Sequence, residues 1–148
     1  MSTKRKQLLI LKYFDTSVAN ALGALQARSL PRPEAQMLLL HVLGPPTPAR
    51  AWLLAHDTDA LPGAAHARLH ELATRRLAGE PMAYLTGSKA FYGLQLQVDA
   101  RVLDPRDDTE TLVDWALALL PPDAGRRVLD LGTGSGAIAL ALAHARPD

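Results

Sequence analysis

The 148-residue sequence is 48% apolar and 21% charged, with a net charge of +1, which is the composition of a globular protein and excludes intrinsic disorder. The balanced charge also argues against a non-specific nucleic-acid-binding protein, which needs a basic surface. Cysteine is absent, so disulfides, thiolate metal sites and cysteine nucleophiles are excluded.

The sequence gives no indication of secretion or membrane insertion. A transmembrane helix needs about 20 apolar residues, whereas the N-terminal apolar run covers only residues 8–11 and ends at Lys12. No small-residue cleavage pattern follows this run. We therefore expect a cytoplasmic protein without a membrane partner.

The first region, residues 16–78, follows an N-terminal extension of residues 1–15 and is predicted to form a helical bundle. The 25 alanines and 28 leucines far outnumber the eight valines and isoleucines, which favours helices. We expect one helix from about residue 16, one over residues 35–43, one that begins at Thr47-Pro48 and ends near Asp57, and one after Gly63. The leucines on their apolar stripes are expected to be mostly buried, namely Leu22, Leu38, Leu39, Leu69 and Leu72.

The second region, residues 79–108, is predicted to be a connector that contains a β-hairpin. Apolar and polar residues alternate over residues 94–98, and Gly87 and Gly93 supply turns. Aromatic residues from Tyr84 onward add to the strand character.

The third region, residues 109–148, is predicted to be the start of an α/β domain. An amphipathic helix over residues 109–120 is followed by a short buried strand over 127–131, a glycine loop over 132–136 and a helix over 137–145. One side of the first helix is apolar, with Val113, Ala116, Leu117 and Leu120. Because one strand and one helix cannot form a two-sided sheet, we expect this domain to be incomplete.

The glycine loop carries the strongest chemical signal in the sequence. A strand, a tight glycine turn and a helix start direct backbone N–H groups toward a ligand, and glycine lets the backbone approach it closely. Gly132, Gly134 and Ala137 also fit the looser dinucleotide pattern, so this alternative stays open. Asp130 favours a methyl donor, because its carboxylate suits a cationic ligand group and would repel a pyrophosphate.

The segment over residues 101–110 combines four acidic residues and two arginines around Pro105. Taken alone, it is typical of a solvated turn in which Asp108 or Thr109 caps the next helix.

Four motifs follow one another along the chain: Gly79-Glu-Pro-Met-Ala-Tyr-Leu-Thr-Gly87, Phe91-Tyr-Gly-Leu94, Pro105-Arg-x-Asp-Thr-Glu110 and Asp130-Leu-Gly-Thr-Gly-Ser-Gly-Ala-Ile-Ala-Leu140. In this order they resemble the N-terminal half of the peptide chain release factor N5-glutamine methyltransferases, over about residues 16–148. The resemblance implies a helical N-terminal bundle, a β-hairpin connector and a Rossmann-like methyltransferase domain. It also implies methylation of the glutamine side-chain amide in the Gly-Gly-Gln loop of bacterial release factors, with S-adenosyl-L-methionine as the donor.

The resemblance also assigns residues. The positions that match the family's methyl-donor loop are Gly132, Thr133, Gly134, Ser135 and Gly136. Arg106, Thr109 and Glu110 match a motif near the family's active site. Together with Asp130, they are candidates for residues that position the active-site groups without contacting the substrate. Neither a catalytic residue nor a metal site is assigned.

Some features depart from the family pattern. The family usually has a branched apolar residue where Asp104 stands and a proline where Asp107 stands. The charge of Asp104 is expected either to be exposed or to pair with Arg101 or Arg106. The family's Asn-Pro-Pro-Tyr segment, which holds the substrate amide, does not occur, and Asn20 is the only asparagine.

We therefore expect the 148-residue chain alone to be inactive. The alternatives are a non-catalytic module that binds release factors and a gene fragment.

The remaining candidates carry weaker signals. His66 and His70 have a spacing that can hold a metal, but exposed histidines without a ligand are expected. Lys4-Arg5-Lys6 is expected to be a solvated terminus rather than a nucleic-acid arm. The positive charges of Arg75 and Arg76 are favourable at the C-terminal end of their helix, and both residues are candidates for docking a partner.

Overall fold

The computed structural model describes residues 17–44, 50–122 and 125–147. The N-terminal extension, the Lys4-Arg5-Lys6 run and the helix start at Thr47-Pro48 lie outside these residues. The chain divides into two compact units, Met1–Met82 and Ala83–Asp148. Within the described parts of both units, no helix combines the length and the apolar character that crossing a bilayer requires.

The first unit is helical, as the sequence predicts. Its helices are α1 (Val18–Ala27), α2 (Arg32–Leu43), α3 (Arg50–Ala55) and α4 (Gly63–Leu77). Helix α2 packs against α1, α3 and α4. The side chain of Ser17 caps α1 by accepting the N–H of Asn20 at 3.2 Å, which satisfies one of the helix's unpaired donors.

Four of the five leucines expected in the core are buried: Leu38, Leu39, Leu69 and Leu72. Leu22 is only half-buried, so the expectation is wrong at this position. Helix α1 instead turns Val18, Ala21 and Leu25 inward, three positions spaced by three and four residues that share one face of the helix.

The second unit begins within a short helix, α5 (Met82–Thr86), which the sequence analysis missed. A hairpin follows, with β1 (Ser88–Phe91) antiparallel to β2 (Leu94–Gln97). Its two-residue turn consists of Tyr92 and Gly93, both at positive φ (47° and 78°), and this geometry matches the right-handed twist of the strands.

The hairpin leads through a 3₁₀ turn (Asp107–Thr109) into α6 (Glu110–Leu119), and α7 (Ala137–Ala145) follows the glycine loop. The predicted apolar side of α6 is confirmed: Val113 is fully buried, and Ala116, Leu117 and Leu120 pack on the same core. Phe91, Leu96 and Val98 of the hairpin region and Ala141 and Leu142 of α7 complete this core.

The buried strand expected over residues 127–131 is not observed. These residues have no regular secondary structure, and Val128, Leu129 and Leu131 are 53%, 80% and 84% exposed. A strand is stabilised by hydrogen bonds to a neighbour, and none of the described residues supplies a neighbouring strand here. The structure therefore contains the helical and hairpin parts of the predicted architecture.

Candidate functional site

The glycine loop has a backbone that only glycine adopts without strain. Gly132, Gly134 and Gly136 have φ values of 76°, 54° and 78°, in the left-handed region. The N–H of Gly136 donates to the carbonyl of Thr133 at 2.8 Å, which closes a turn directly before α7. The loop therefore reverses the chain over a few residues and exposes its backbone where the helix begins.

The space beside the loop is open. A Cβ atom built on Gly132 would meet no heavy atom within 4 Å, and one on Gly134 would meet only the carbonyl oxygen of Gly132 at 3.8 Å. At Gly136 the nearest atom is a methyl carbon of Leu140 at 3.6 Å. Packing within the protein therefore does not explain why glycine occupies the first two positions.

A cleft of about 370 Å³, here called the hairpin cleft, lies between the loop and the chain that leaves β2. Its lining residues are Gln97, Asp99, Arg101, Val102, Gly134 and Ser135. Two of the five predicted loop residues thus line a concavity, and the end of β2 and the chain that follows it supply the rest of its wall. The hairpin side of this cleft was not anticipated from the sequence, because the residues that form it are 30 or more positions away from the loop.

One carboxylate and one guanidinium face each other in the hairpin cleft. Arg101 donates to Asp99 through Nε and Nη2, and the shortest contact is 2.6 Å between Nη2 and Oδ2. The hydrogen bonds from the Arg101 side chain and backbone lower the pKa of Asp99 to about 2. The cleft therefore carries an exposed ion pair whose two charges compensate each other at neutral pH.

Asp130 does not line the hairpin cleft. It borders a second cleft of about 270 Å³ together with Arg126, Val128, Leu142 and Arg146, among others. Its Oδ2 atom is buried and has no hydrogen-bond partner among the described residues. A buried carboxylate oxygen without a donor is unfavourable.

Glu110 is tied to the hairpin turn. Its Oε1 accepts the backbone N–H of Tyr92 at 2.7 Å, and the Tyr92 hydroxyl donates to Asp114 one helical turn further along α6, also at 2.7 Å. These bonds hold the turn against the start of α6. Thr109, at the N-cap position, makes no side-chain capping bond, and Arg106 is exposed.

These observations can be set beside known proteins. Residues 18–87 match the family described as the PrmC N-terminal domain. The chain is 57% identical over 118 residues, 80% of its length, to the release factor glutamine methyltransferase of Bordetella pertussis. It is 49% identical over 128 residues (86%) to the protein of the same name from Escherichia coli, and 46% over 132 residues (89%) to that of Burkholderia pseudomallei.

The chain is a relative of the release factor glutamine methyltransferases. The resemblance seen in the motifs is thereby confirmed. The matched parts cover 43% to 45% of the length of these three relatives.

The positions at which the chain departs from the methyltransferase motif have defined surroundings. Asp107 accepts a 2.7 Å hydrogen bond from Lys89 Nζ, and this bond, with the nearby carboxylates of Asp104 and Glu110, raises the pKa of the lysine. Asp104 was expected either to be exposed or to pair with a neighbour such as Arg101 or Arg106, and it is neither fully exposed nor paired with an arginine. Arg101 pairs with Asp99 instead, and Oδ1 of Asp104 is buried without a hydrogen bond from any described residue.

Tyr84, in α5, is bonded to the segment that contains Asp104 and was not predicted as part of the site. Its hydroxyl donates to the carbonyl of Val102 at 2.6 Å and accepts the N–H of Asp104 at 3.0 Å. The ring thereby fixes the chain between the hairpin cleft and the Pro105–Glu110 motif. Its place in the first of the four motifs is the available signal, but aromatic residues favour strands, whereas Tyr84 lies in α5.

The two adjacent arginines of α4 bind carboxylates within their own unit. Arg76 makes a two-pronged contact with Glu34, both distances being 2.8 Å, and Arg75 donates to Glu80. These bonds lower the pKa of both glutamates. The described residues contain no cluster of metal-ligating side chains around His66 and His70 or elsewhere.

Proposed function

We propose that this chain provides the N-terminal part of an S-adenosyl-L-methionine-dependent methyltransferase that modifies the glutamine side-chain amide in the Gly-Gly-Gln loop of peptide chain release factors. The observation that carries the proposal is the glycine loop, with three left-handed glycines directly before α7 and an open cleft beside them. The names of the relatives support the same activity. In this proposal, residues 109–148 begin a Rossmann-like domain.

The residues present fit a methyl donor of this kind. S-adenosyl-L-methionine carries an ammonium, a carboxylate and a sulfonium, and Asp99 and Arg101 of the hairpin cleft would exchange their mutual hydrogen bonds for contacts with the charged groups of the ligand. The open space beside Gly132 and Gly134 allows a ligand to approach the backbone. Thr133, Ser135 and Gly136 complete the proposed donor loop. Asp130 precedes this loop in the sequence, and its Oδ2 atom has no hydrogen-bond partner among the described residues.

The part of this chain in the chemistry is positioning. When bound, S-adenosyl-L-methionine supplies a methyl carbon activated by a sulfonium; transfer to the amide nitrogen breaks the C–S bond, leaves a thioether and releases one proton from the nitrogen. The loop would hold the donor in one orientation, which favours in-line attack by reducing the loss of entropy on reaction. Glu110 would act through Tyr92, by fixing the hairpin turn, and Arg106 and Thr109 would shape the same segment.

The helical unit, residues 16–78, is proposed to recognise the release factor. Translation termination occurs in the cytoplasm, and we place the reaction there. The hydrogen-bonding motif for the substrate amide, Asn-Pro-Pro-Tyr, is absent from these 148 residues. We therefore propose that the segment on its own binds partners without transferring methyl groups at the rate of the full-length protein.

The test uses the full-length protein, methyl-labelled S-adenosyl-L-methionine and a release factor. Label is expected on the wild-type release factor and not on one whose Gly-Gly-Gln glutamine is replaced by alanine. Equal labelling of both would refute the proposed acceptor. Tighter binding of a nicotinamide dinucleotide than of S-adenosyl-L-methionine would refute the donor and favour the dinucleotide pattern of the glycine loop.

A further inference from the structure

Lys89 links β1 to the beginning of the 3₁₀ turn in the second unit. Its Nζ atom donates to Oδ1 of Asp107 at 2.7 Å, and Asp107 is the first residue of that turn. The side chain of Lys89 is 24% exposed, whereas the side chain of Asp107 is 86% exposed. The lysine is therefore the packed partner of this ion pair and the aspartate the exposed one. Lys89 belongs to none of the four motifs found in the sequence.

The other carboxylates of the same segment favour this ion pair. The hydrogen bond to Asp107 raises the pKa of Lys89, and the negative charges of Asp104 and Glu110 raise it further. The lysine is therefore protonated at neutral pH. Because all three carboxylates lie within residues 104–110, their attraction to Lys89 draws this one segment toward β1.

The backbone at Asp107 has the geometry of a proline site. Arg106, which precedes it, is extended with φ −89° and ψ 145°, the conformation that a residue before proline adopts. Asp107 is also the first residue of a helical turn, where proline is favoured because an N–H at this position has no partner within the turn. A proline would fix φ through its ring, whereas an aspartate leaves this angle free. The start of the turn therefore depends on another constraint, and the ion pair with Lys89 supplies one.

We propose that Lys89 is a positioning residue for methyl transfer, because its ion pair with Asp107 fixes residues 106–110 against the hairpin as a proline would fix them through the backbone. The inference rests on the proposed function, in which this segment shapes the site. Glu110 attaches the end of the segment to the hairpin through the N–H of Tyr92 at 2.7 Å. Lys89 attaches its beginning, so loss of the lysine charge leaves the first turn held at one end.

The first test measures methyl transfer by the full-length protein with saturating S-adenosyl-L-methionine and release factor. Lys89→Met keeps a long unbranched side chain but removes the charge. We expect it to lower kcat about fivefold, which corresponds to the upper end of the effects of exposed ion pairs. The reduction appears in kcat because disorder in a positioning segment raises the barrier even when both substrates are bound. The matched control is Lys89→Arg, which keeps the charge and should stay close to the wild type.

The decisive comparison repeats Lys89→Met in the Asp107→Pro background. The proline ring fixes the backbone without an ion pair, so Lys89→Met is expected to have no effect there, and the two substitutions are non-additive. A lysine that acts only by packing would cause the same loss in both backgrounds. Asp107→Asn tests the same ion pair from its exposed side and should reproduce the loss of Lys89→Met, so it decides the matter if Lys89→Met does not fold.

Hydrogen exchange at the amides of residues 108–110 measures the attachment in the 148-residue chain without donor or release factor. We expect about fivefold faster exchange in Asp107→Asn than in the wild type and no change in Lys89→Arg. The inference is overturned if Lys89→Met lowers kcat equally in both backgrounds, or if Asp107→Asn has the kcat and the exchange rates of the wild type. If the wild-type protein transfers no methyl group, the proposed function fails instead, and the exchange rates still decide whether the ion pair fixes the turn.

Discussion

Replacing Glu110 with alanine is expected to destabilise the hairpin and α6 by about 2 kcal/mol, because the carboxylate is the acceptor for the Tyr92 backbone N–H at 2.7 Å. Tyr92 occupies the left-handed region with φ 47°, which costs an L-residue roughly 1–2 kcal/mol and requires support from its surroundings. A hydrogen bond to a charged group contributes about 1.5–3 kcal/mol. A negative charge in the first turn of α6 adds about 0.3–1 kcal/mol. Since Glu110 is partly exposed, we take the lower limits of these two contributions, which together give about 2 kcal/mol.

Native-state hydrogen exchange of the β1 and β2 amides measures this effect within the second unit. Glu110→Gln keeps an acceptor oxygen at the same position and is expected to lose only about 1 kcal/mol, as is typical of a neutral hydrogen bond replacing a charged one. The matched control, Asp108→Ala, removes an exposed carboxylate from the preceding 3₁₀ turn and is expected to change the opening free energy by no more than about 0.5 kcal/mol. If the β1 and β2 amides exchange at the same rates in Glu110→Ala and Asp108→Ala, the hydrogen bond between Glu110 and the Tyr92 N–H does not stabilise the turn.

Three further predictions concern the loop, an ion pair and the helical core. Gly134→Val in the full-length protein is expected to weaken methyl-donor binding at least about tenfold in calorimetry, because the side chain would enter the open space beside the loop. The hydrogen bonds from Arg76 lower the pKa of Glu34 below its ordinary value of 4.5. The ion pair therefore stabilises the helical unit at neutral pH, and this stabilisation is lost on acidification, when Glu34 becomes protonated. The urea midpoint of Glu34→Gln should fall less between pH 7 and pH 3 than the urea midpoint of the wild type. Leu72→Ala is expected to cost about 3 kcal/mol in urea unfolding, because the side chain is fully buried.

Each of these has a matched comparison. Gly44 also has a positive φ (73°) and lines neither cleft, so Gly44→Val introduces backbone strain away from the proposed donor site; equal donor affinities of Gly44→Val and Gly134→Val would refute the proposed role of Gly134. For the ion pair, an identical pH dependence of the urea midpoint in Glu34→Gln and the wild type would show that the contact between Arg76 and Glu34 does not stabilise the helical unit. Leu54→Ala, at a 69% exposed position, should stay within about 0.5 kcal/mol of the wild type.

The helical part of the fold could be predicted from local sequence because each helix satisfies its own hydrogen bonds. The apolar spacing placed the α7 helix at the observed residues and put Val113 and Leu72 in the core. It failed at Leu22, since spacing shows which residues share a face but not how closely another helix approaches it. It also missed α5, where Tyr84 turned out to lie in a helix and to fix the chain at Asp104.

The strand expected over residues 127–131 shows the limit of local reasoning for sheets. Apolar composition predicts that a segment is suited to a strand, but the hydrogen bonds of that strand belong to its neighbours. The hairpin cleft was missed for a similar reason. Gly134 and Ser135 were found from their motif, whereas Asp99 and Arg101 join them only through the packing of the hairpin.

The exposed segment with Val128, Leu129 and Leu131 has a consequence for the behaviour of this chain at high concentration. Its backbone is not paired in a sheet, so an identical segment of another molecule could pair with it, and the exposed apolar side chains would pack together in such a pair. Asp130 interrupts the apolar run, and Arg126 and Arg127 precede it, so like charges would meet if two copies paired in parallel and in register. These three charges therefore disfavour that pairing, and removing the charge of Asp130 would make it more favourable.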